Sequence, residues 1–146
     1  MSVGRICVRD VDLADLDESV QIAARRMNAR NVGTLMVLDK GSRPVGIITD
    51  RDLAIRVVGK GMDPVETAVR DVMSRAPECV REDAPIETAI GRMRAGPYRR
   101  LPVVDTDGKL VGLVSLDDIL DLLSDELNAI GDLIRNESPS ALSEVV

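Results

Sequence analysis

The chain has 146 residues, 45% hydrophobic and 30% charged, and its 19 basic and 25 acidic residues give a net charge of −6. This composition is ordinary for a soluble globular protein, and the length allows one compact domain or two small halves that share a core. No apolar run is long enough to span a bilayer. The acidic balance, with one Tyr and no Phe or Trp, lacks the charge and stacking surfaces that nucleic acids require. We therefore expect neither nucleic acid nor a membrane as a partner.

The absence of histidine limits the chemistry open to the chain. Histidine is the most frequent general base and a frequent zinc ligand, and Cys7 and Cys79 do not form a cluster with metal-binding spacing. We therefore expect no catalytic residue and no metal site. The N-terminal residues include no apolar stretch of the kind that directs export, which predicts a cytoplasmic protein with free thiols.

Acidic residues are concentrated near the N-terminus. Their spacing does not match a calcium-binding loop, and we interpret them as solvated surface. They are Asp10, Asp12, Asp15, Asp17 and Glu18.

An internal repeat organises the chain. Residues 17–53 align without gaps with residues 83–119 at an offset of 66, and 11 of these 37 positions are identical. Chance would give about two identities, so we interpret the match as a duplication. The sequence then divides into a first repeat at 1–66, a second repeat at 67–137 and a flexible tail at 138–146. Two such repeats are expected to pack together with pseudo-two-fold symmetry.

Each repeat has the pattern of a mixed α/β (α+β) unit with the order β-α-β-β-α. The pattern predicts a first helix at 19–30 and 85–95, and a second at 50–58 and 116–123, with helical periodicity continuing towards Ile134. Two short apolar runs around a turn rich in Asp and Gly predict a hairpin between these helices in each repeat. The segment between the repeats, 65–73, is predicted as a short amphipathic helix.

A strand runs directly into a helix at Gly46–Leu53 and at Gly112–Ile119. Thr49 and Ser115 stand at the N-cap positions, and Asp52 and Asp118 follow three residues later, as in a capping box. The plain structural interpretation is that these residues cap helices. A helix N-terminus with a hydroxyl and a carboxylate can also bind an anion and a ribose diol, and both roles can coexist.

The doubled motif within a duplicated β-α-β-β-α pattern resembles the CBS (cystathionine-β-synthase) domain family. The resemblance is to a tandem pair, or Bateman module, of the stand-alone bacterial or archaeal type, and it covers the chain from about Ile6 to about Ile130. The motifs that carry it are Val72-Met73 with Pro77, Asp83-Ala84-Pro85-Ile86, Arg100-Leu101-Pro102-Val103-Val104-Asp105 and the repeated Gly-x-x-Thr/Ser-x-x-Asp.

The resemblance implies an adenosine-containing ligand between the repeats: AMP, ADP or ATP, or alternatively S-adenosylmethionine or NAD, with no cofactor required. Asp52 and Asp118 would hold ribose hydroxyls, and Thr49 and Ser115 would contact phosphate or ribose. Residues implied at the adenine are Leu13, Ala14, Cys79 and Val80, with Tyr98 as a secondary candidate. Arg99 and Arg100 match the basic positions of the family that face the phosphates, and their alternative role is a solvated pair before a strand.

The two expected clefts are not equivalent. The first repeat has Gly33-Thr34 where the second has Arg99-Arg100, so we favour the cleft that contains Asp118 as the better nucleotide site. The main hypothesis is a nucleotide-sensing module that acts through an unidentified protein partner or through self-association, most simply as a homodimer. One alternative is a structural dimerisation module whose clefts stay empty. A third, ranked lower, is a Mg²⁺-dependent nucleotide hydrolase, since neither a P-loop nor a general base is visible.

Overall fold

The computed structural model describes residues 1–96 and 98–137, so the tail predicted to be flexible, 138–146, lies outside the described residues. The helices are α1 (Val3–Ile6), α2 (Val20–Arg30), α3 (Asp50–Asp52), α4 (Ile86–Ala95) and α5 (Leu116–Asn136). The strands are β1 (Thr34–Leu38), β2 (Pro44–Thr49), β3 (Ser74–Arg75), β4 (Val80–Arg81), β5 (Arg100–Val104) and β6 (Leu110–Ser115). A π-helical segment, Leu53–Val58, continues α3, and a 3-10 turn covers Val69–Asp71.

The chain forms two three-stranded sheets, with the orders β1-β2-β3 and β4-β5-β6, and the hairpin in each sheet reproduces the duplication. The β1-β2 and β5-β6 hairpins have the same register, since Thr34 pairs with Thr49 and Arg100 pairs with Ser115. The predicted mixed fold of two related repeats is therefore confirmed. The repeats differ in their first strand, because β4 pairs with β5 in parallel, whereas Leu13 makes only a single parallel bridge to β1.

Hydrogen bonds from backbone amides to aspartate side chains shape the hairpin turns. Asp39 Oδ1 accepts from the amides of Gly41 and Arg43 at 2.8 and 2.9 Å, and Asp105 makes the same pair of bonds in the second repeat. These are the turns that an Asx residue favours. The two turns also meet, because Arg43 Nε donates to the carbonyl oxygen of Asp107 at 3.0 Å. The repeats are therefore linked at the end of the hairpins remote from Thr49 and Ser115.

Each core includes residues from the start of the other sequence repeat. We call residues 3–12 and 69–78, which correspond at the offset of 66, the crossing segments. Val3 is fully buried and packs in the core of the second repeat, whereas Val69 is fully buried in the core of the first. The core of the first repeat spans residues 14–73, whereas the core of the second joins residues 3–7 to residues 80–119. The division at residue 66 therefore describes the sequence repeat rather than the two cores.

The segment between the repeats is not the helix that the sequence predicts. Only the 3-10 turn forms between residues 65 and 73, and that prediction is wrong. The backbone of the segment bonds to the chain before α2 instead: the amide of Val69 donates to Glu18 O at 2.9 Å, and the amide of Arg70 donates to Leu16 O at 3.0 Å. These bonds satisfy groups that a helix would have used internally.

The last helix of each repeat begins alike and ends differently. In the first repeat, α3 and its π-helical continuation stop at Gly59, and Gly61 has a φ of 66° that favours glycine. In the second repeat no such glycine occurs at the corresponding positions, and α5 runs for 21 residues. No helix of the described residues is long and apolar enough to cross a membrane.

Candidate functional site

Two clefts lie where the repeats meet, and the same offset relates their linings. The Asp52 cleft has a volume of about 350 Å³ and the Asp118 cleft about 300 Å³. Each is bounded by the end of a hairpin strand with its capping box, by a crossing segment, and by the start of the first hairpin strand of the other repeat. Each cleft therefore joins both repeats, which is where a small ligand would affect their arrangement.

Both predicted capping boxes are present. Thr49 Oγ1 accepts from the amide of Asp52 at 3.2 Å, and Asp52 Oδ2 accepts from the amide of Thr49 at 2.9 Å. Ser115 Oγ and Asp118 Oδ2 make the corresponding bonds at 3.1 and 2.7 Å. The caps use one oxygen of each carboxylate, so the second oxygen can serve a ligand.

The second carboxylate oxygen has different surroundings in the two clefts. Asp52 Oδ1 lies 3.7 Å from Arg56 Nε. Leu122 stands at the position that corresponds to Arg56, and Asp118 Oδ1 has no hydrogen-bond or ion-pair partner in the part of the chain that the structure describes. A ligand in the Asp118 cleft would therefore meet an unopposed carboxylate oxygen.

The arginine pair does not lie where the sequence places it. Tyr98 and Arg99 line the Asp52 cleft, and Arg100 lines both clefts. Arg99 also borders a shallow depression with Leu116 and Asp117. The expectation that the Asp118 cleft holds both arginines is corrected, because only Arg100, at the start of β5, lines that cleft, whereas Arg99 lines the Asp52 cleft. The arginine pair therefore favours the Asp52 cleft.

The Asp52 cleft has a surplus of cationic side chains. Arg75, Arg99 and Arg100 line it with two carboxylates, those of Asp52 and Glu78. Both carboxylates have other cationic neighbours, since Asp52 lies near Arg56 and Glu78 Oε1 is 3.5 Å from Arg92 Nη1. The three lining arginines form no ion pair among the described residues. This arrangement leaves them available to an anionic group.

The Asp118 cleft has the opposite balance. Its lining contains Asp10, Asp12 and Asp118 but one arginine, Arg100. Arg30 binds two of these carboxylates, with Nε 2.7 Å from Asp12 Oδ1 and Nη2 3.2 Å from Asp10 Oδ2. The hydrogen bond to Asp12, followed by the charges of both aspartates, raises the pKa of Arg30. The interpretation of Asp12 as solvated surface is wrong, because its side chain is only 13% exposed.

The four residues implied at the adenine do not line either cleft within the described residues. Ala14 and Val80 are buried in the two cores, Leu13 is partly exposed, and Cys79 is half-buried, where desolvation raises its thiol pKa. Strand alternation in β4 turns Val80 towards the core, and Ala14 packs in the core of the first repeat although it lies outside the strands. The cleft walls come instead from the residues just before, Val11-Asp12 and Pro77-Glu78.

Two equivalent arginines hold these segments in place. Arg26 Nη1 donates to the carbonyl oxygen of Leu13 at 2.8 Å. Arg92, which is identical at the offset of 66, donates from Nη1 to the carbonyl oxygen of Cys79. The identity of Arg26 and Arg92 in the alignment therefore reflects a positioning role behind each cleft.

Several lining residues lie outside the motif that the sequence highlights. Arg75, Glu78, Asp10 and Asp12 belong to the crossing segments, before the gapless alignment begins. The sequence signal that could have identified them is the offset of 66, since Arg75 aligns with an identical Arg9 and Glu78 aligns with Asp12.

Within residues 1–96 and 98–137, no three or more His, Cys, Asp or Glu side chains are grouped so that they could hold a metal ion.

Curated relatives match most of the chain. An uncharacterized protein of Methanopyrus kandleri is 39% identical over 120 residues, which cover 82% of this chain and 61% of the relative. The YlbB protein of Bacillus subtilis is 34% identical over 144 residues, covering 94% of this chain and 90% of that protein. The chain thus spans less than two thirds of the first of these relatives.

Solved structures share the architecture. A CBS domain protein of Thermoplasma acidophilum has a TM-score of 0.76 at 26% identity, over 83% of this chain and 68% of that one. A CBS domain pair in complex with 5′-methylthioadenosine and S-adenosyl-L-methionine has a TM-score of 0.73 at 27% identity, over 84% and 99% of the chains. The CBSX2 protein in complex with AMP has a TM-score of 0.73 at 26% identity, over 85% and 96%.

The family model described as the CBS domain matches this chain twice, at residues 3–59 and 69–125. Both matches begin at the first residue of a crossing segment; the first ends at Gly59, directly after the π-helical segment, and the second ends within α5. The chain therefore belongs to the CBS domain family and contains a tandem pair of these domains.

Proposed function

We propose that this CBS pair is a regulatory module that binds an adenine nucleotide in the Asp52 cleft and so changes its association with a partner protein or with itself in the cytoplasm. The observation that carries the proposal is the convergence of Arg75, Arg99 and Arg100 on a cleft that also contains Asp52 and Tyr98. The proposal assigns the chain a regulatory role and no catalytic residue.

The arginines account for recognition of phosphate. The whole chain has a net charge of −6, so an anionic ligand needs a local surplus of positive charge. Guanidinium groups match phosphate oxygens in geometry, and each charge-assisted hydrogen bond contributes about 1.5–3 kcal/mol. Arg99 and Arg100 come from one repeat and Arg75 from the crossing segment, so a phosphate held by all three would join these parts.

The remaining lining suits a nucleoside. Asp52 retains one carboxylate oxygen outside its capping bond, and a carboxylate of this kind can accept from a ribose diol. Tyr98 is 47% exposed, and its ring offers a face to a base beside Ile47 and Pro102. The neighbour structures with AMP and with S-adenosyl-L-methionine support an adenosyl ligand here.

Contacts behind the cleft connect Asp52, at the proposed ligand site, to the crossing segment 69–78. Arg56 lies 3.7 Å from Asp52 and donates from Nη1 to the carbonyl oxygen of Val72 at 2.7 Å. Val72 belongs to the crossing segment that continues into Arg75. A ribose whose hydroxyls donate to Asp52 would compete with Arg56 for Asp52 Oδ1. A ligand with unequal affinity for two arrangements of this network would shift their populations.

Isothermal titration calorimetry with AMP, ADP and ATP tests the proposal. We expect one nucleotide per chain, with about tenfold weaker affinity in Arg99→Ala, which corresponds to about 1.4 kcal/mol. The matched control is Arg135→Ala, because Arg135 is exposed near the far end of α5. No binding of any of the three nucleotides, or equal affinity in both variants and the wild type, would refute the proposal.

A second candidate function is a dimerisation module, favoured by the apolar face of α5. Five exposed apolar side chains on this helix follow the alternating spacing of three and four residues that a coiled-coil seam requires. Such a seam is self-complementary across a two-fold axis, so we propose a second copy of this chain as its occupant. The residues are Leu120, Leu123, Leu127, Ile130 and Ile134.

A further inference from the structure

Two short linkers join the sheets of the two repeats. Residues 76–79, which we call the Ala76 linker, run from β3 in the sheet of the first repeat to β4 in the sheet of the second. Residues 9–12 make the other connection, from the bridge between Val8 and Leu113 in β6 to the bridge between Leu13 and Met36 in β1. A change in the arrangement of the two sheets therefore changes backbone angles in these linkers.

The backbone of Ala76 is strained. Its φ of 47° lies in the left-handed region, where the Cβ of an L residue crowds the following carbonyl oxygen. Pro77 adds to the strain, because a proline favours an extended conformation in the residue before it. Asp10 corresponds to Ala76 at the offset of 66 and does not have a positive φ. The strain therefore belongs to one linker and is not a requirement of the repeat.

The neighbours of Ala76 limit local relaxation of this strain. On one side, the amide of Ala76 donates to Val45 O at 3.2 Å, where β3 ends. On the other side, β4 pairs with β5, and Arg92 donates to the carbonyl oxygen of Cys79. Pro77 cannot absorb the change, since its ring fixes φ. Relaxation of Ala76 is therefore coupled to a movement of one sheet relative to the other.

The strained residue also lies in the wall of the Asp52 cleft. Arg75 and residues 76–78 line this cleft on one side, and Arg99 and Arg100 of the second repeat line it as well. A phosphate held between Arg75 and the arginine pair favours the arrangement in which these side chains converge. That arrangement is the one in which Ala76 is strained, so ligand binding and backbone strain act on the same movement in opposite directions.

We propose that Ala76 is a strained hinge through which a nucleotide in the Asp52 cleft sets the relative position of the two repeats. The strain opposes the arrangement in which the arginines converge, so the free protein also populates a relaxed arrangement. Nucleotide binding shifts the population towards the strained one. The identity of the ligand rests on the proposed function, whereas the hinge rests on the backbone of the Ala76 linker.

Calorimetry with AMP on three proteins tests the hinge: the wild type, Ala76→Gly and Ala68→Gly. Glycine adopts a positive φ without strain, so Ala76→Gly stabilises the arrangement that binds. Apparent affinity rises with the fraction of protein in that arrangement. AMP should therefore bind Ala76→Gly about fivefold more tightly, which corresponds to about 1 kcal/mol. Ala68→Gly is the matched control, because Ala68 has an ordinary φ of −84° and lies outside the cleft lining, and its affinity should equal that of the wild type.

A measurement without ligand provides an independent readout. Relaxation-dispersion NMR of the backbone amides of residues 74–80 detects exchange between two arrangements on the timescale of domain movements. The ratio of the two populations should change about fivefold in Ala76→Gly and stay at the wild-type value in Ala68→Gly. Saturation of the wild type with AMP should remove the exchange.

The outcomes separate the hinge from the proposed function. AMP binding of equal affinity in all three proteins would overturn the hinge and leave the proposed function intact. If AMP does not bind at all, the proposed function is refuted, and the exchange measurement alone decides the hinge. In that case, a population ratio that changes only in Ala76→Gly supports the hinge, and no exchange in the wild type, or equal ratios in the three proteins, overturns it.

Discussion

Gly112 lies directly against the carbonyl oxygen of Val8: a Cβ at Gly112 would be 2.7 Å from that oxygen and 2.8 Å from Cys7 Sγ. Val8 and Leu113 exchange two backbone hydrogen bonds of 2.9 Å across the same contact. The absence of a side chain at Gly112 therefore allows the crossing segment 3–12 to pack directly against β6. Gly46 has the corresponding role, with Met73 as its neighbour.

Gly112→Ala should lower the free energy of unfolding by about 1–3 kcal/mol, because the added methyl group must displace backbone atoms in a packed contact. Chemical denaturation followed by circular dichroism measures the change. The matched control is Gly91→Ala in α4, where a Cβ meets nothing within 4 Å, and where the higher helix propensity of alanine should stabilise by up to about 1 kcal/mol. An unchanged midpoint in Gly112→Ala would contradict this account of the crossing.

The crossing shows what local sequence patterns cannot supply. The hairpins, the helices α2 and α4 and both capping boxes follow from periodicity and turn chemistry, and the structure contains them. The pairing of β3 with β2, two residues long, depends on packing at a distance that a short strand does not encode. The placement of Arg99 opposite Asp52 depends in turn on how one repeat sits against the other.

The helix caps make a prediction about the stability of the protein without ligand. Ser115→Ala removes the acceptor for the amide of Asp118 and should cost about 1 kcal/mol of unfolding free energy. Ser124→Ala is the control, because Ser124 is exposed in the same helix and alanine there should have no destabilising effect. Thermal or urea denaturation without ligand measures both. Equal stability of the two variants would mean that the Ser115 hydroxyl does not cap α5.

Acid should weaken the contact that holds the first repeat to its crossing segment. Arg26 lowers the pKa of Glu18, first through a side-chain hydrogen bond in which Nη2 donates to Oε2 at 2.8 Å. A carboxyl whose pKa is lower in the folded state stabilises the fold above its ordinary pKa, and this contribution is lost as the pH falls through the folded-state pKa. The backbone carbonyl of Glu18 accepts from Val69, so the effect reaches the crossing segment.

Urea denaturation at about pH 7 and about pH 3.5, which lie on either side of the ordinary pKa of a glutamate side chain, should show this loss of stability. The stability advantage of the wild type over Glu18→Gln is expected to shrink at the lower pH. Glu66→Gln, at an exposed position, should track the wild type at both. A difference between wild type and Glu18→Gln that is independent of pH would show that the ionised carboxylate is not what stabilises this contact.

The apolar face of α5 predicts a dimer that forms through this helix. Leu127 is 68% exposed in the single chain and lies at the centre of the proposed seam, so Leu127→Lys should place a charge in an apolar interface and shift the protein towards monomer. Light scattering coupled to size-exclusion chromatography measures the mass. Asn128→Lys adds the same charge one residue away, outside the seam, and should leave the mass unchanged. A wild-type protein that is monomeric at every concentration, or equal dissociation by both variants, would remove α5 as the dimer interface while leaving the ligand clefts unaffected.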